Sequence, residues 1–169
     1  MKRRLLIWTG IVAVLAAGWG VRALGDPRTR ELRRVEKRVL ALAEAVSFTE
    51  KDSPFARLGY PDKVIGYFGP TTELEITLGS REAHATLTNA ELKERAGAMR
   101  VTARGLSVQF LDVAVTLNDA MDQATAHLTS KIYFTGEPDY WVQEFRLQLG
   151  KEAEHGWRVS RIETVRTME

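Results

Sequence analysis

The side chains best suited to acid–base chemistry near neutral pH are the three histidines, His84, His127 and His155. His155 falls in the turn-like stretch EAEHG and is predicted to lie at the surface, whereas His84 falls in a short edge strand and is predicted to be half-exposed. His127 differs because Asp112 lies on the strand predicted just before it, and an aspartate beside a histidine can act as a general acid–base pair.

The predicted hairpin decides whether this pair can form. In the register set by the turn NDAMD, His127 lies opposite Val113 and Asp112 lies opposite Leu128. Neighbouring side chains of a strand point to opposite faces, so His127 and Asp112 cannot meet in this register. A bulge at Phe110–Asp112 would slip the register by one residue and bring them together.

Other chemical motifs are missing from the sequence. No two histidines have the spacing of metal ligands, and Asp112, Asp119 and Asp122 lack the glycine and final glutamate of a calcium loop. Phosphate loops, nucleophile elbows and glycine-rich dinucleotide turns are absent as well. The chain has no cysteine, which excludes disulfides, a lipoprotein anchor and cysteine-ligated zinc. We therefore expect neither a metal nor a cofactor.

The net charge of +2 hides an uneven distribution. Residues 1–38 hold ten Lys and Arg against three acidic residues, which is +7, so residues 39–169 carry −5. An acidic domain argues against nucleic-acid binding, which needs a basic surface. The basic residues that follow the apolar segment are predicted to contact anionic lipid head groups, or else to form a solvated helix face. The cluster comprises Arg28, Arg30, Arg33, Arg34, Lys37 and Arg38.

Residues 1–25 are predicted to form an N-terminal membrane anchor or a signal segment. Lys2, Arg3 and Arg4 precede a run without charges, and residues 5–24 are just long enough to span a bilayer. The alternative is a secretory signal that is cleaved before Asp26. The leading basic residues favour export of residues 26–169, although the basic downstream flank weakens that orientation. We expect a single-pass protein of the inner (cytoplasmic) bacterial membrane with a periplasmic or extracytoplasmic domain.

Residues 26–169 are predicted to form one α+β domain. Apolar residues spaced by three and four from Leu32 to Val46 predict a first helix, and three prolines then delimit two short helical pieces. TTELEITLGSREAHATL predicts a hairpin, TNAELKERAGAMRVTAR predicts a helix capped by Thr88 or Asn89, and the remainder predicts a meander of long antiparallel strands.

Two of the long strands change faces partway. In LSVQFLDVAVTL the apolar positions switch parity after Phe110, and in DYWVQEFRLQLGK Val142 and Phe145 cannot share one face without an extra residue. Such switches indicate β-bulges, which bend strands. Bulged long strands predict a strongly curved, mostly antiparallel sheet whose concave side is closed by the N-terminal helices. In the last strand, Trp157 and Val159 are predicted to face the core, whereas Ile162 fits only if the strand twists or bulges.

This order of elements resembles the nuclear transport factor 2-like superfamily, a cystatin-like α+β cone that includes SnoaL-like polyketide cyclases, ketosteroid isomerase and scytalone dehydratase. The resemblance rests on element order, on LSVQFLDVAVTLND leading into QATAHLTSKIYF, and on GWRVSRIETV as the last strand. It implies a pocket between helices and sheet, and often a dimer through the outer face of the sheet. The fold hosts both enzymes and non-enzymes.

Five aromatic residues are the expected lining of such a pocket, and the alternative is that they pack in a filled core. We expect Tyr67 and Phe68 on a helical lid, Phe110 at the bend, and Tyr133 and Trp141 on the long strands. Our main hypothesis is a membrane-tethered, non-catalytic domain that binds a partner protein or a small apolar ligand. The alternative is a pocket enzyme of the isomerase, dehydratase or cyclase type that uses Asp112 with His127 or Asp112 with Tyr133.

Overall fold

The computed structural model describes residues 26–78 and 81–165, which form three helices and six strands. The predicted N-terminal anchor and the turn residues Gly79 and Ser80 lie outside the described residues. The elements, in chain order, are α1 (Pro27–Val46), α2 (Pro54–Ile65), β1 (Phe68–Leu78), β2 (Arg81–Thr88), α3 (Asn89–Thr102), β3 (Leu106–Leu117), β4 (Gln123–Phe134), β5 (Tyr140–Glu152) and β6 (Gly156–Thr164).

The six strands form one sheet in the order β2-β1-β6-β5-β4-β3. All neighbours are antiparallel except β1 and β6, which run parallel. The predicted hairpin therefore supplies β1 and β2, and the predicted meander supplies β3 to β6. The α+β class and the mostly antiparallel sheet are confirmed.

Helix α1 covers the concave face of the sheet. It begins after Asp26, whose carboxylate accepts a hydrogen bond of 3.1 Å from the backbone N–H of Arg28. Its apolar stripe includes Val35, Val39 and Leu42, which are all almost fully buried. These side chains form the core together with Leu147, Leu149, Trp157 and Val159 of β5 and β6.

The two short helical pieces predicted after α1 are a single helix, so this prediction is wrong. Helix α2 continues through Pro61, which lies inside it. A proline there removes one backbone donor without ending the helix, and the remaining bonds hold the turn. Strand β1 then begins at Phe68, which pairs with Val159 of β6. Tyr67 therefore lies in the connection after α2 and Phe68 lies in the sheet, rather than on a helical lid.

Helix α3 is held by its cap and by α2 more than by core packing. The Thr88 hydroxyl accepts a hydrogen bond from the Glu91 N–H, and the Glu91 carboxylate accepts one from the Thr88 N–H, which makes a capping box. None of the residues of α3 is buried. Lys93 forms a salt bridge with Asp62 of α2. The predicted cap at Thr88 is confirmed.

The bulge predicted in the first long strand is confirmed. Leu111 pairs with Thr129 and Ala114 pairs with His127, so two residues of β3, Asp112 and Val113, face one residue of β4. Asp112 has a φ of 52°, the left-handed conformation found in many bulges. His127 consequently lies opposite Ala114, one residue away from the position predicted without the bulge.

The prediction of a bulge between Val142 and Phe145 is wrong. The pairing of β4 with β5 is unbroken from Gln123–Gly150 to Tyr133–Tyr140. No extra residue is needed, because Val142 is exposed on the outer face of the sheet. The extra residue lies in β6 instead.

A bulge in β6 explains which residues of the last strand face the core. Val159 pairs with Leu149 and Arg161 pairs with Gln148, which leaves Ser160 unpaired. This single insertion places Trp157 and Val159 in the core and still turns Ile162 towards the concave face. The expected bulge before Ile162 is confirmed. Within residues 26–78 and 81–165, no helix has the length and apolar character required to cross a bilayer.

Candidate functional site: an apolar cavity

A cavity of about 260 Å³ lies between α1 and the concave face of the sheet. Five strands and one helix contribute to it, which reflects the curvature that the bulges in β3 and β6 impose. The lining consists of Leu42, Val46, Phe68, Ile76, Val108, Phe110, Leu128, Ser130, Ile132, Phe145, Leu147 and Ile162.

The cavity has a buried floor and a more accessible rim. Leu42, Phe68, Leu128 and Leu147 are between 3% and 6% exposed, and Ser130 is 1% exposed. The remaining lining residues, including the isoleucines of β1, β4 and β6, are half-buried. This arrangement would let a small molecule enter the cavity at the rim and be enclosed at the floor.

Ser130 is the one polar residue of the lining, and the other eleven are aliphatic or aromatic. No histidine, carboxylate, lysine or arginine belongs to it. Behind the lining residue Val46, the Tyr60 hydroxyl of α2 donates a hydrogen bond of 2.9 Å to the Val46 carbonyl. Burial raises the pKa of Tyr60 to about 12, and the Arg100 guanidinium lowers it by less. This phenol stays neutral, and its proton is held by a backbone carbonyl.

The structure places only two of the five aromatic residues expected in the pocket along the lining of the cavity. Phe68 and Phe110 line the cavity. Tyr67 is half-buried beneath the Arg38 guanidinium, 3.9 Å from its ring centre, and does not reach the lining. Tyr133 is 42% exposed and lies on the outer face of β4. Trp141 is 57% exposed and borders a different cleft.

That second cleft, of about 620 Å³, lies between the end of α3 and the β4–β5 hairpin. Trp141 and Phe134 supply its aromatic surface, and its other side chains include those of Met99, Arg104 and Glu137. It shares no lining residue with the apolar cavity.

Asp112 and His127 border one depression, and neither belongs to the lining of the apolar cavity. Both are exposed, and both border a depression of about 340 Å³ on the outer face, together with Glu144. No hydrogen bond or ion pair joins Asp112 to His127 within the described part of the chain. The depression and the apolar cavity share Leu128 and Phe145, but Asp112 and His127 belong to the depression alone.

The other two histidines are exposed, as predicted for His155, whereas His84 was predicted to be half-exposed. His84 lies on edge strand β2, 3.8 Å from the Glu75 carboxylate, and His155 lies in the turn before β6. Among the described residues, no group of three histidine or acidic side chains is placed to hold a metal ion.

Sequence reasoning missed most of the lining, including Ser130, Ile132 and Phe145. The sequence did indicate some of these residues. Apolar and polar residues alternate in QATAHLTSKIYF, and Ser130 falls on the same face of the strand as Ala126, Leu128 and Ile132. A serine on an otherwise apolar face was the available indication of an unusual inward position.

The fold can now be compared with known proteins. No family model matches the chain, and no curated protein matches it. Many solved structures match. A candidate aromatic ring hydroxylase from Novosphingobium aromaticivorans has a TM-score of 0.64 at 14% identity, over 85% of this chain and 94% of that one.

Two further structures agree with it. A candidate scytalone dehydratase from the same species has a TM-score of 0.58 at 13% identity, covering 83% of this chain and 86% of that one. A nuclear transport factor 2-like protein of unknown function from Pseudomonas putida has a TM-score of 0.60 at 9% identity, covering 83% and 89%. This chain has the nuclear transport factor 2-like fold. At such low identities the likeness shows the fold alone.

Proposed function

We propose that the chain is a non-catalytic binding protein that takes a small apolar molecule into its cavity and is held at a membrane by residues 5–24. One observation carries the proposal: the cavity has an accessible volume but no side chain that can ionise. Burying an apolar molecule against eleven apolar side chains is favourable in proportion to the area removed from water.

The same lining argues against acid–base catalysis inside the cavity. Isomerases and dehydratases move protons, and a carboxylate or histidine must therefore reach the substrate within hydrogen-bond distance. The expected pair of Asp112 and His127 lies on the outer face, and Tyr133 is exposed on that face as well. An enzyme using Asp112 would have to bind its substrate on an open surface, where water screens the charges.

The tether is the second part of the proposal. Residues 5–24 are predicted to cross the inner membrane and leave the domain outside the cytoplasm. On α1, Arg30 and Arg33 are exposed, whereas Arg28 donates a hydrogen bond of 2.8 Å to the Leu117 carbonyl and Arg34 pairs with Glu31. We propose that this basic stretch contacts anionic lipid head groups, with Arg33 contributing more than the two paired arginines.

A second candidate function is supported by the outer face, where Tyr133 pairs with Tyr140 and Lys131 pairs with Val142. Tyr133, Tyr140 and Val142 are 42%, 56% and 57% exposed and lie together on this face, with the Lys131 ammonium 4.0 Å from the centre of the Tyr140 ring. We propose that a second copy of the chain covers this patch. Such a dimer would leave the cavity free, because the patch and the cavity lie on opposite faces of the sheet.

The cavity proposal can be tested with naphthalene, a two-ring hydrocarbon, and a pair of tryptophan variants of the full chain in detergent. Val108→Trp fills the rim of the cavity, and Gln109→Trp adds the same side chain on the outer face, one residue away. We expect Val108→Trp to weaken naphthalene binding about tenfold or more and Gln109→Trp to leave it unchanged. Equal binding by both variants would place the ligand elsewhere.

A further inference from the structure

The three most exposed large apolar side chains among the described residues all belong to α2 and α3. Phe55, Leu58 and Val101 are 86%, 78% and 86% exposed, whereas the other exposed large apolar side chains range from 39% to 57%. Single apolar residues are common on protein surfaces. Three that remain almost entirely in water, on two helices that pack together, are typical of a surface that a membrane or a partner covers.

The three residues lie where α2 begins and α3 ends. These two helix ends are joined by Arg100, whose guanidinium lies 3.3 Å from the carboxylate of Asp52. The two apolar residues of α2 are three positions apart and therefore share one side of that helix. The buried residues of α2, Tyr60 and Val64, lie on its opposite side and belong to the core. The exposed apolar side chains of α2 therefore point away from the sheet.

The helices and the sheet carry opposite net charges. Residues 27–65 and 89–104, which include the helices, contain 13 Lys and Arg against 8 Asp and Glu, a net charge of +5. Residues 68–88 and 106–165, which include the strands, contain 6 Lys and Arg against 12 Asp and Glu, a net charge of −6. An anionic surface is therefore attracted to the helices and repelled by the sheet.

Part of the positive charge lies on the solvent side of α1. Arg33 and Lys37 are exposed, and each precedes by two positions a valine that is almost fully buried, Val35 and Val39. Two positions in a helix correspond to about 200°, so the basic side chains point away from the sheet. We call the surface that holds these two basic residues, together with Phe55, Leu58 and Val101, the helical side.

A surface that combines basic and apolar side chains suits a bilayer with anionic lipids. Such surfaces bind by burying their apolar side chains about 5–10 Å deep, at the boundary between head groups and acyl chains. The proposed span, residues 5–24, ends three positions before Pro27, and Asp26 between them has an extended backbone. Helix α1 therefore starts as a separate helix and can lie along the membrane surface. Standing upright, it would hold the apolar residues about 30 Å away, the length of its 20 residues.

We propose that the helical side of the domain lies on the membrane, with Phe55, Leu58 and Val101 inserted among the lipids and the basic residues of α1 against anionic head groups. The inference rests on the proposed tether, and it adds the orientation of the domain and the side chains that insert. The acidic sheet then faces the aqueous side. A dimer through the outer face of the sheet would turn its two helical sides in opposite directions, so at most one copy could lie on the bilayer in this way.

The experiment uses single-cysteine variants of the full chain, which has no cysteine of its own. Leu58→Cys and Gln148→Cys are labelled with nitrobenzoxadiazole, whose fluorescence shifts to the blue in apolar surroundings. Both residues are exposed, so neither substitution removes a core contact, and Gln148 lies on the outer face of the sheet. The labelled chains are reconstituted into vesicles of phosphatidylcholine and phosphatidylglycerol, with or without brominated acyl chains, which quench the label on contact.

We expect brominated lipid to quench the label at Leu58→Cys and to leave Gln148→Cys unchanged. Replacing phosphatidylglycerol with phosphatidylcholine should weaken the quenching at Leu58→Cys, because each basic residue beside an anionic surface strengthens binding about fivefold. Quenching that does not depend on phosphatidylglycerol overturns the role of the basic residues.

The remaining outcomes separate this inference from the tether. Chains that float with the vesicles but show no quenching at Leu58→Cys, or equal quenching at both positions, overturn the proposed orientation. A blue shift at Leu58→Cys without quenching places this residue against protein, such as a second copy, and overturns it as well. Chains that do not float with the vesicles overturn the tether itself, and the inference with it.

Discussion

The indole N–H of Trp157 donates a hydrogen bond of 3.1 Å to the carboxylate of Glu31, joining the last strand to the first helix. Both side chains are buried, and Glu31 is 8% exposed. Lys151 of β5 lies 3.2 Å from the same carboxylate oxygen, and Arg34 pairs with the other oxygen. A buried carboxylate is tolerated here because each of its oxygens has a donor.

This contact predicts a dependence of stability on pH. Burial raises the pKa of Glu31, but the hydrogen bonds from Trp157 and Lys151 outweigh it, so the pKa lies below its usual value of 4.5. A carboxyl whose pKa is lowered on folding stabilises the protein fully above the unfolded value, and the contribution is lost as pH falls through the folded value. Glu31→Gln should lower the free energy of unfolding by about 1–3 kcal/mol at pH 7.

Denaturant titrations at pH 7 and below pH 4.5 check this. The difference between the unmodified chain and Glu31→Gln should shrink as the pH falls through that range, because both then carry a neutral side chain. Glu36→Gln is the matched control, since Glu36 is exposed on the same helix. A constant difference at both pH values would contradict the role of the charge.

The bulge in β3 gives a second prediction, at Asp112. Its φ of 52° suits glycine and strains a β-branched residue. We expect Asp112→Gly to change the free energy of unfolding by less than about 1 kcal/mol and Asp112→Val to lower it by about 1–2 kcal/mol. Thermal unfolding of the two variants measures the difference. Equal stability of the two would show that the backbone conformation at this position is not constrained.

Most of the strand arrangement followed from the residues. The parity switch after Phe110 predicted the bulge of β3, because apolar side chains must reach one core from both sides of it. The same rule failed for Val142, which is apolar but exposed, so the switch at that point marked a surface patch. Assigning strand faces from alternating residues assumes that apolar side chains point into the core. That assumption fails where apolar side chains lie on the outer face of the sheet.

The candidate site was less predictable than the fold. Phe110 was predicted to line the pocket from the bend of β3, and it does; Phe68 was predicted on a helical lid but lines the cavity from the start of β1. Tyr133 and Trp141 were misplaced because large aromatic side chains were expected inside, while the structure encloses smaller ones such as Leu128 and Ile132. The position of α1 over the sheet decides which inward residues leave a gap, and this tertiary arrangement is not encoded in any local pattern.

The outer-face patch gives a third prediction, on oligomeric state. Val142→Lys places a charge in the centre of the proposed dimer contact, where burying it without a partner is costly. Light scattering of the full chain in detergent should show a dimer, and Val142→Lys should show a monomer. Gln148→Lys is the control, because Gln148 is exposed on the same face of the same strand but away from the patch. A monomeric unmodified chain would contradict the proposed contact.

The final prediction concerns the tether, and it separates an anchor from a cleaved signal. Described structure begins at Asp26, whose side chain caps α1, so a chain of residues 26–169 keeps that cap intact. We expect the full chain to remain in the membrane fraction after a carbonate wash and residues 26–169 to be released, because residues 5–24 are long enough to span the bilayer. N-terminal sequencing of the membrane-bound chain should recover a start upstream of Asp26. A start at Asp26 itself would show that the segment is a signal removed on export, and the domain would then act unattached.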